Sequence, residues 1–154
     1  FERGERRMLN LGHTFAHAIE KICGEACSAG SNQGGIMHGE AVSIGMVLAA
    51  RVSGRMGMAS EEFVNRVEHD LKSVGLPVTV PANPATGEEI SIAMLLEALK
   101  KDKKVNGEYI NFIIPQDLGN VKDIRILIKE LEDLAQQINK NLHKKITKHV
   151  TLDI

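Results

Sequence analysis

The chain has 154 residues, 43% of them hydrophobic and 25% charged, with a formal net charge of -1. That is one ordinary globular domain with a real core, and the near-neutral charge gives no electrostatic basis for binding nucleic acid or an anionic membrane. Four Phe, one Tyr and no Trp are too few rings for a single-strand nucleic-acid platform, and no apolar run reaches the roughly 18 residues of a membrane span.

The first residue is Phe1, which points to a piece of a longer protein. From about 5 to 27 the pattern is helical, with Leu9, Phe15, Ile19 and Ile22 at helix spacing. Cys23 and Cys27 near its end are read as reduced thiols of a cytoplasmic protein rather than a disulfide framework. The run SAGSNQGG (28–35) is a polar, glycine-rich loop. A second helix starts near His38, is apolar nearly all round and therefore central, and stops near Gly57.

Ser60 followed by Glu61 and Glu62 has the form of an N-cap with acids in the first turn. That third helix spans roughly 60–74 and ends at Gly75, with Pro77 beyond. Thr86 and Glu89 have capping-box spacing before AMLLEALKKD. EYINFII (108–114) is rich in β-branched and aromatic residues and reads as a strand. VKDIRILI either pairs with it or begins a last helix that covers LIKELEDLAQQINK. The sum is a mainly α domain over 1–140 with at most a small β-hairpin, then a basic tail over 141–154 expected to be partly disordered.

The chemistry-bearing residues begin in the first helix. At about 100° per residue, Glu2, Arg6, Asn10, His13 and His17 fall within an arc of roughly 80°. Met8, Phe15, Ile19 and Ile22 lie opposite, and Leu9, at the edge of the arc, is grouped with them as the packing face. Asn and His are poor choices for a merely solvated helix face. Gly12 adds a cost of about 1 kcal/mol and suggests close approach by a neighbouring segment. His38 at the next helix start adds a third imidazole, and neutral imidazole is a common zinc ligand. Glu40 is either a carboxylate ligand or a first-turn acid, and the second reading is preferred. The lysines of KKDKK suit a solvated helix end and, less strongly, a phosphate.

Three strings together carry a resemblance: Glu2, Arg6, Asn10, His13 and His17 before Ala18-Ile19-Glu20; His38-Gly39-Glu40-Ala41-Val42; and Asp102-Lys103-Lys104. In this order they resemble the C-terminal domain of the 3-dehydroquinate synthases, a branch of the sugar phosphate cyclases related in fold to glycerol dehydrogenase. The resemblance implies an N-terminal NAD-binding domain that this chain lacks. It also implies Zn2+ or Co2+ held by His13 and His38, with a third ligand, a glutamate, from the region before the chain. His17 matches a proton-transfer and substrate residue, Glu2 an acid near the reacting hydroxyl, Arg6 and Asn10 substrate-binding residues, and Lys103 (with Lys104 next) a phosphate contact.

The implied activity turns 3-deoxy-D-arabino-heptulosonate 7-phosphate into 3-dehydroquinate and phosphate in a cytoplasmic homodimer. The implied partner is a phosphorylated small molecule, not nucleic acid or membrane. On this reading the isolated chain is inactive and binds metal weakly, because two histidines leave zinc under-coordinated. Two departures from the family pattern stand out: Ala16 replaces the usual Gly, and the loop before His38 is longer. The rivals are another sugar phosphate cyclase, a metal-dependent hydrolase, and a non-catalytic helical module.

Overall fold

The computed structural model describes residues 6–24, 35–102, 109–134 and 136–138. The chain is mainly helical: α1 (His13–Cys23), α2 (His38–Arg55), α3 (Glu61–Ser73) and α4 (Ile92–Asp102) precede strands β1 (Tyr109–Asp117) and β2 (Asn120–Leu127). Helical turns follow over 128–134 and 136–138. The expected tail over 141–154 lies outside the described residues. Among those described, no helix is long and apolar enough to cross a membrane.

The helix expected from about 5 to 27 is broken. Residues 9–12 form turns, and α1 starts only after Gly12, whose φ is +83°. The cause is α2: a Cβ on Gly12 would stand 2.8 Å from both the Val42 carbonyl oxygen and the Met46 nitrogen. The backbone is therefore left-handed and bare where the central helix passes. One consequence is that Met8 and Leu9 do not join the packing face. They are 40% and 76% exposed, whereas Phe15 and Ile19 are fully buried.

As its apolar sequence requires, α2 is the central element. Ala41, Ile44, Val47, Leu48, Ala49, Ala50 and Val52 are all buried along it. It meets α1 at glycine: a Cβ on Gly45 would come within 2.1 Å of the Gly12 carbonyl oxygen. Gly12 touches Gly45 while Glu20 touches His38, so the two helices run in opposite directions. Ala16 is completely buried, and its backbone nitrogen lies 3.2 Å from where a Gly45 Cβ would be. Its methyl group fits at the position where the resemblance leads to an expectation of Gly.

The third helix has the expected cap, with Ser60 Oγ accepting from Phe63 N–H at 3.1 Å, a bond worth about 1 kcal/mol. It lies on the surface with no fully buried residue, and Arg51 of α2 ties to its Glu68 at 2.8 Å. The α4 cap differs from expectation. Thr86 caps only a local turn, accepting from Glu88 N–H, while Glu89 is drawn into an extended bridge with Ala82. Helix formation waits until Ser91, whose Oγ accepts from Met94 N–H at 3.2 Å.

The antiparallel hairpin pairs Tyr109 with Leu127 and Ile113 with Asp123. VKDIRIL thus completes the sheet, and helix resumes only at residue 128. Alternation along β1 sends Ile110, Phe112 and Ile114 into the core. The Phe112 ring meets Phe15 of α1 edge to face at 5.3 Å.

Cys23 is a free, buried thiol, and burial pushes its pKa above the ordinary thiol value. A raised pKa lowers the thiolate fraction at any given pH, and the thiolate is the nucleophile. Iodoacetamide at neutral pH is therefore expected to modify Cys23 more slowly than free cysteine, in a Cys27→Ser background, with a rate that climbs as pH rises. Alkylation as fast as free cysteine would contradict this.

Candidate functional site

The three histidines expected to act together do meet. His13 and His17 stand one turn apart on α1, with ring centroids 5.9 Å apart in an edge-on arrangement. The His38 ring, at the first position of α2, lies 5.3 Å from His13. That meeting depends on the opposed α1 and α2 and on the glycine contact beneath them.

The Nδ1 nitrogens of His13 and His38 are anchored. Nδ1 of His13 lies 3.4 Å from the Leu11 carbonyl oxygen, and Nδ1 of His38 donates to Glu20 Oε1 at 2.6 Å. In both neutral rings this puts the proton on Nδ1 and leaves the Nε2 lone pair free. Two imidazoles bound to one ion at about 2.0–2.1 Å have centroids roughly 5 Å apart in tetrahedral geometry. The observed 5.3 Å fits a shared metal. Among the described residues no third His, Cys, Asp or Glu completes the set.

Glu40 is otherwise employed: its Oε2 accepts from Met37 N–H at 3.0 Å, closing the start of α2. It is the first-turn acid, as preferred.

Beside the histidines lies a cavity of about 310 Å³ lined by Arg7, Asn10, His13, Thr14, His17, Leu99, Asn111, Ile113 and Asp123. Asn10 reaches it from the turn before α1, although a continuous helical stripe does not exist there. Arg6 does not line the cavity; Arg7 does, with Nη1 3.1 Å from Asp123 Oδ2 of β2. The pair offsets the negative charge that a lone carboxylate would present to an anionic ligand. Glu2, Lys103 and Lys104 lie outside the described residues. Lys100, just before them, bonds to Glu97 and Glu132, which raise its pKa. Its ammonium is therefore held in the surface between α4 and the last helical turns.

Sequence reasoning missed Arg7, Thr14, Asn111, Asp123 and Glu20. Asn111 had a usable signal: it shares the alternate face of β1 with Ile113, away from the core. Asp123 follows from the register that sets it opposite Ile113.

Residues 1–105 match the family described as 3-dehydroquinate synthase C-terminal. The chain is 44% identical over 118 residues to the 3-dehydroquinate synthases of Rhizobium etli and Agrobacterium fabrum, covering 77% of this chain and 29% of each relative. It thus spans less than a third of the length of the curated relatives it matches. The fold is similar to 2-deoxy-scyllo-inosose synthase solved with carbaglucose-6-phosphate, NAD+ and Co2+ (TM-score 0.60, 22% identity, 83% of this chain and 34% of that one). It is also similar to the 2-epi-5-epi-valiolone synthase of Streptomyces hygroscopicus with NAD+ and Zn2+ (TM-score 0.62, 22% identity, 91% and 35%).

Proposed function

Because the chain belongs to the 3-dehydroquinate synthase family, through its C-terminal domain, we propose that it is the metal- and substrate-binding part of an enzyme converting 3-deoxy-D-arabino-heptulosonate 7-phosphate to 3-dehydroquinate and phosphate. The observation that carries the reading is the convergence of His13, His17 and His38 beside a cavity that Asn10, Thr14 and Asn111 help to line. NAD and Zn2+ or Co2+ are the proposed cofactors, in keeping with those bound by the similarly folded synthases.

His13 and His38 would hold the metal through Nε2. When bound, the metal would polarise the hydroxyl to be oxidised and the ketone it becomes, while NAD supplies the transient oxidation. His17, exposed at the cavity and one turn from His13, is placed to move protons near neutral pH. Asn10 and Arg7 offer hydrogen-bond donors to the substrate's oxygens. Glu2, Arg6 and Lys103 remain proposed contacts on the strength of the family pattern, and a homodimer is the proposed assembly.

The test is phosphate release by the full-length protein supplied with NAD, Co2+ and the heptulosonate phosphate, together with appearance of 3-dehydroquinate. The 154-residue chain alone is expected to release none. Release only from a different sugar phosphate would move the assignment to another cyclase, and release without NAD would favour a hydrolase.

A further inference from the structure

Glu20 is an anomaly in α1. It is an acid with only 8% of its side chain exposed, one turn after the fully buried Ala16. Burying a carboxylate costs free energy that an apolar residue at the same place would avoid. Among the described residues its hydrogen-bond partner is His38 Nδ1, at 2.6 Å. His38 itself is 57% exposed, so its ring gains little orientation from packing. Glu20 lies seven residues after His13, two turns along the same face, and so both reach the start of α2.

We propose that Glu20 is a positioning residue: its buried carboxylate accepts the Nδ1–H of His38 and fixes that imidazole in the tautomer and orientation whose Nε2 is free beside His13. This rests on the metal reading above and adds a residue to it. A water molecule could serve as acceptor for an exposed ring, but it would leave the ring free to turn and to exchange tautomers. A carboxylate anchored in the core allows neither. Because the carboxylate comes from α1 and the imidazole from α2, the bond also ties ring orientation to the packing of the two helices.

Two measurements on the full-length protein, labelled with 15N-histidine, test this. The first needs no metal. At a pH where His38 is neutral, imidazole 15N shifts, assigned with His38→Gln, should show a protonated Nδ1 and an unprotonated Nε2 in the parent. Glu20→Ala should give a tautomer mixture, and Glu20→Asp should recover part of the preference. A parent His38 protonated on Nε2, or a tautomer unchanged in Glu20→Ala, would overturn the proposal.

The second is a Co2+ titration followed by visible absorption. Glu20→Ala should bind about 10- to 100-fold more weakly and show an altered band. Equal affinity and spectrum in both proteins would overturn the positioning role. If the parent keeps the expected tautomer yet binds no Co2+, the metal assignment fails while the role of Glu20 in fixing His38 stands. Circular dichroism of Glu20→Ala should match the parent. If that variant fails to fold, Glu20→Leu, which fills similar space and has no acceptor for Nδ1–H, replaces it in both measurements, with the same outcomes deciding.

Discussion

Gly45→Ala is expected to destabilise the fold by about 3 kcal/mol or more, the upper range for overpacking. Helix propensity pulls the other way, since Ala is better than Gly by about 1 kcal/mol within a helix. The clash outweighs it. The new Cβ would lie 2.1 Å from the Gly12 carbonyl oxygen and 2.9 Å from its carbon, and backbone atoms cannot swing aside like a side chain. Relief requires α1 and α2 to separate, which loosens the packing of Phe15, Ala16 and Ile44. Gly54→Ala is a fair contrast, because its Cβ would meet the Val64 Cγ2 methyl at 3.0 Å and the Ala59 carbonyl oxygen at an ordinary 3.9 Å. Urea unfolding should therefore show a large drop in midpoint for Gly45→Ala and a small change for Gly54→Ala. Equal midpoints for Gly45→Ala and the parent would refute the close crossing.

The largest functional effect is expected for His13→Ala. Losing one of the two imidazoles proposed to hold the ion would remove several kcal/mol of transition-state stabilisation, a fall of about 10³-fold or more in kcat of the full-length protein. His17→Ala should lower kcat by about 10²- to 10⁴-fold, the range for a general acid or base. The two variants separate by a second measurement. His13→Ala should lose Co2+ binding, whereas His17→Ala should retain it. His13 is only half-buried and its side chain bonds weakly, to the Leu11 carbonyl, so its urea midpoint should stay near that of the parent. A His13→Ala protein that still binds Co2+ with parental affinity would remove His13 from the ligand set.

What the sequence made legible was local. The Ser60 cap, the stop near Gly75 and the strand in EYINFII depend on neighbouring residues, and all three appear where expected. The apolar helix from His38 was readable as central because it has no polar face to present to water. The break at Gly12 was not legible, since its left-handed backbone answers to Val42 and Met46, some thirty positions on. A wheel drawn through that break grouped Arg6 with the histidines, while the turn delivers Arg7 and Asn10 to the cavity. The Thr86 spacing misled for a similar reason, because the bridge between Ala82 and Glu89 competes with the helix start. Glu20 ends the histidine-bearing stretch of the first helix, but its partner lies 18 residues away, beyond the reach of any periodicity.

The hairpin makes one wall of the cavity depend on parity. Asn111 and Ile113 face the cavity only because they are two apart, with Phe112 between them turned to Phe15. Inserting a single residue into the pairing before Ile113 would exchange the faces, setting a phenyl ring where the amide stands and driving an amide into the core. Past Pro115 the register already shifts, between Pro115 and Asp117, and the tip at Leu118 and Gly119 projects into solvent. Length variation among descendants of this chain is thus free at the tip and forbidden, in odd steps, near the base.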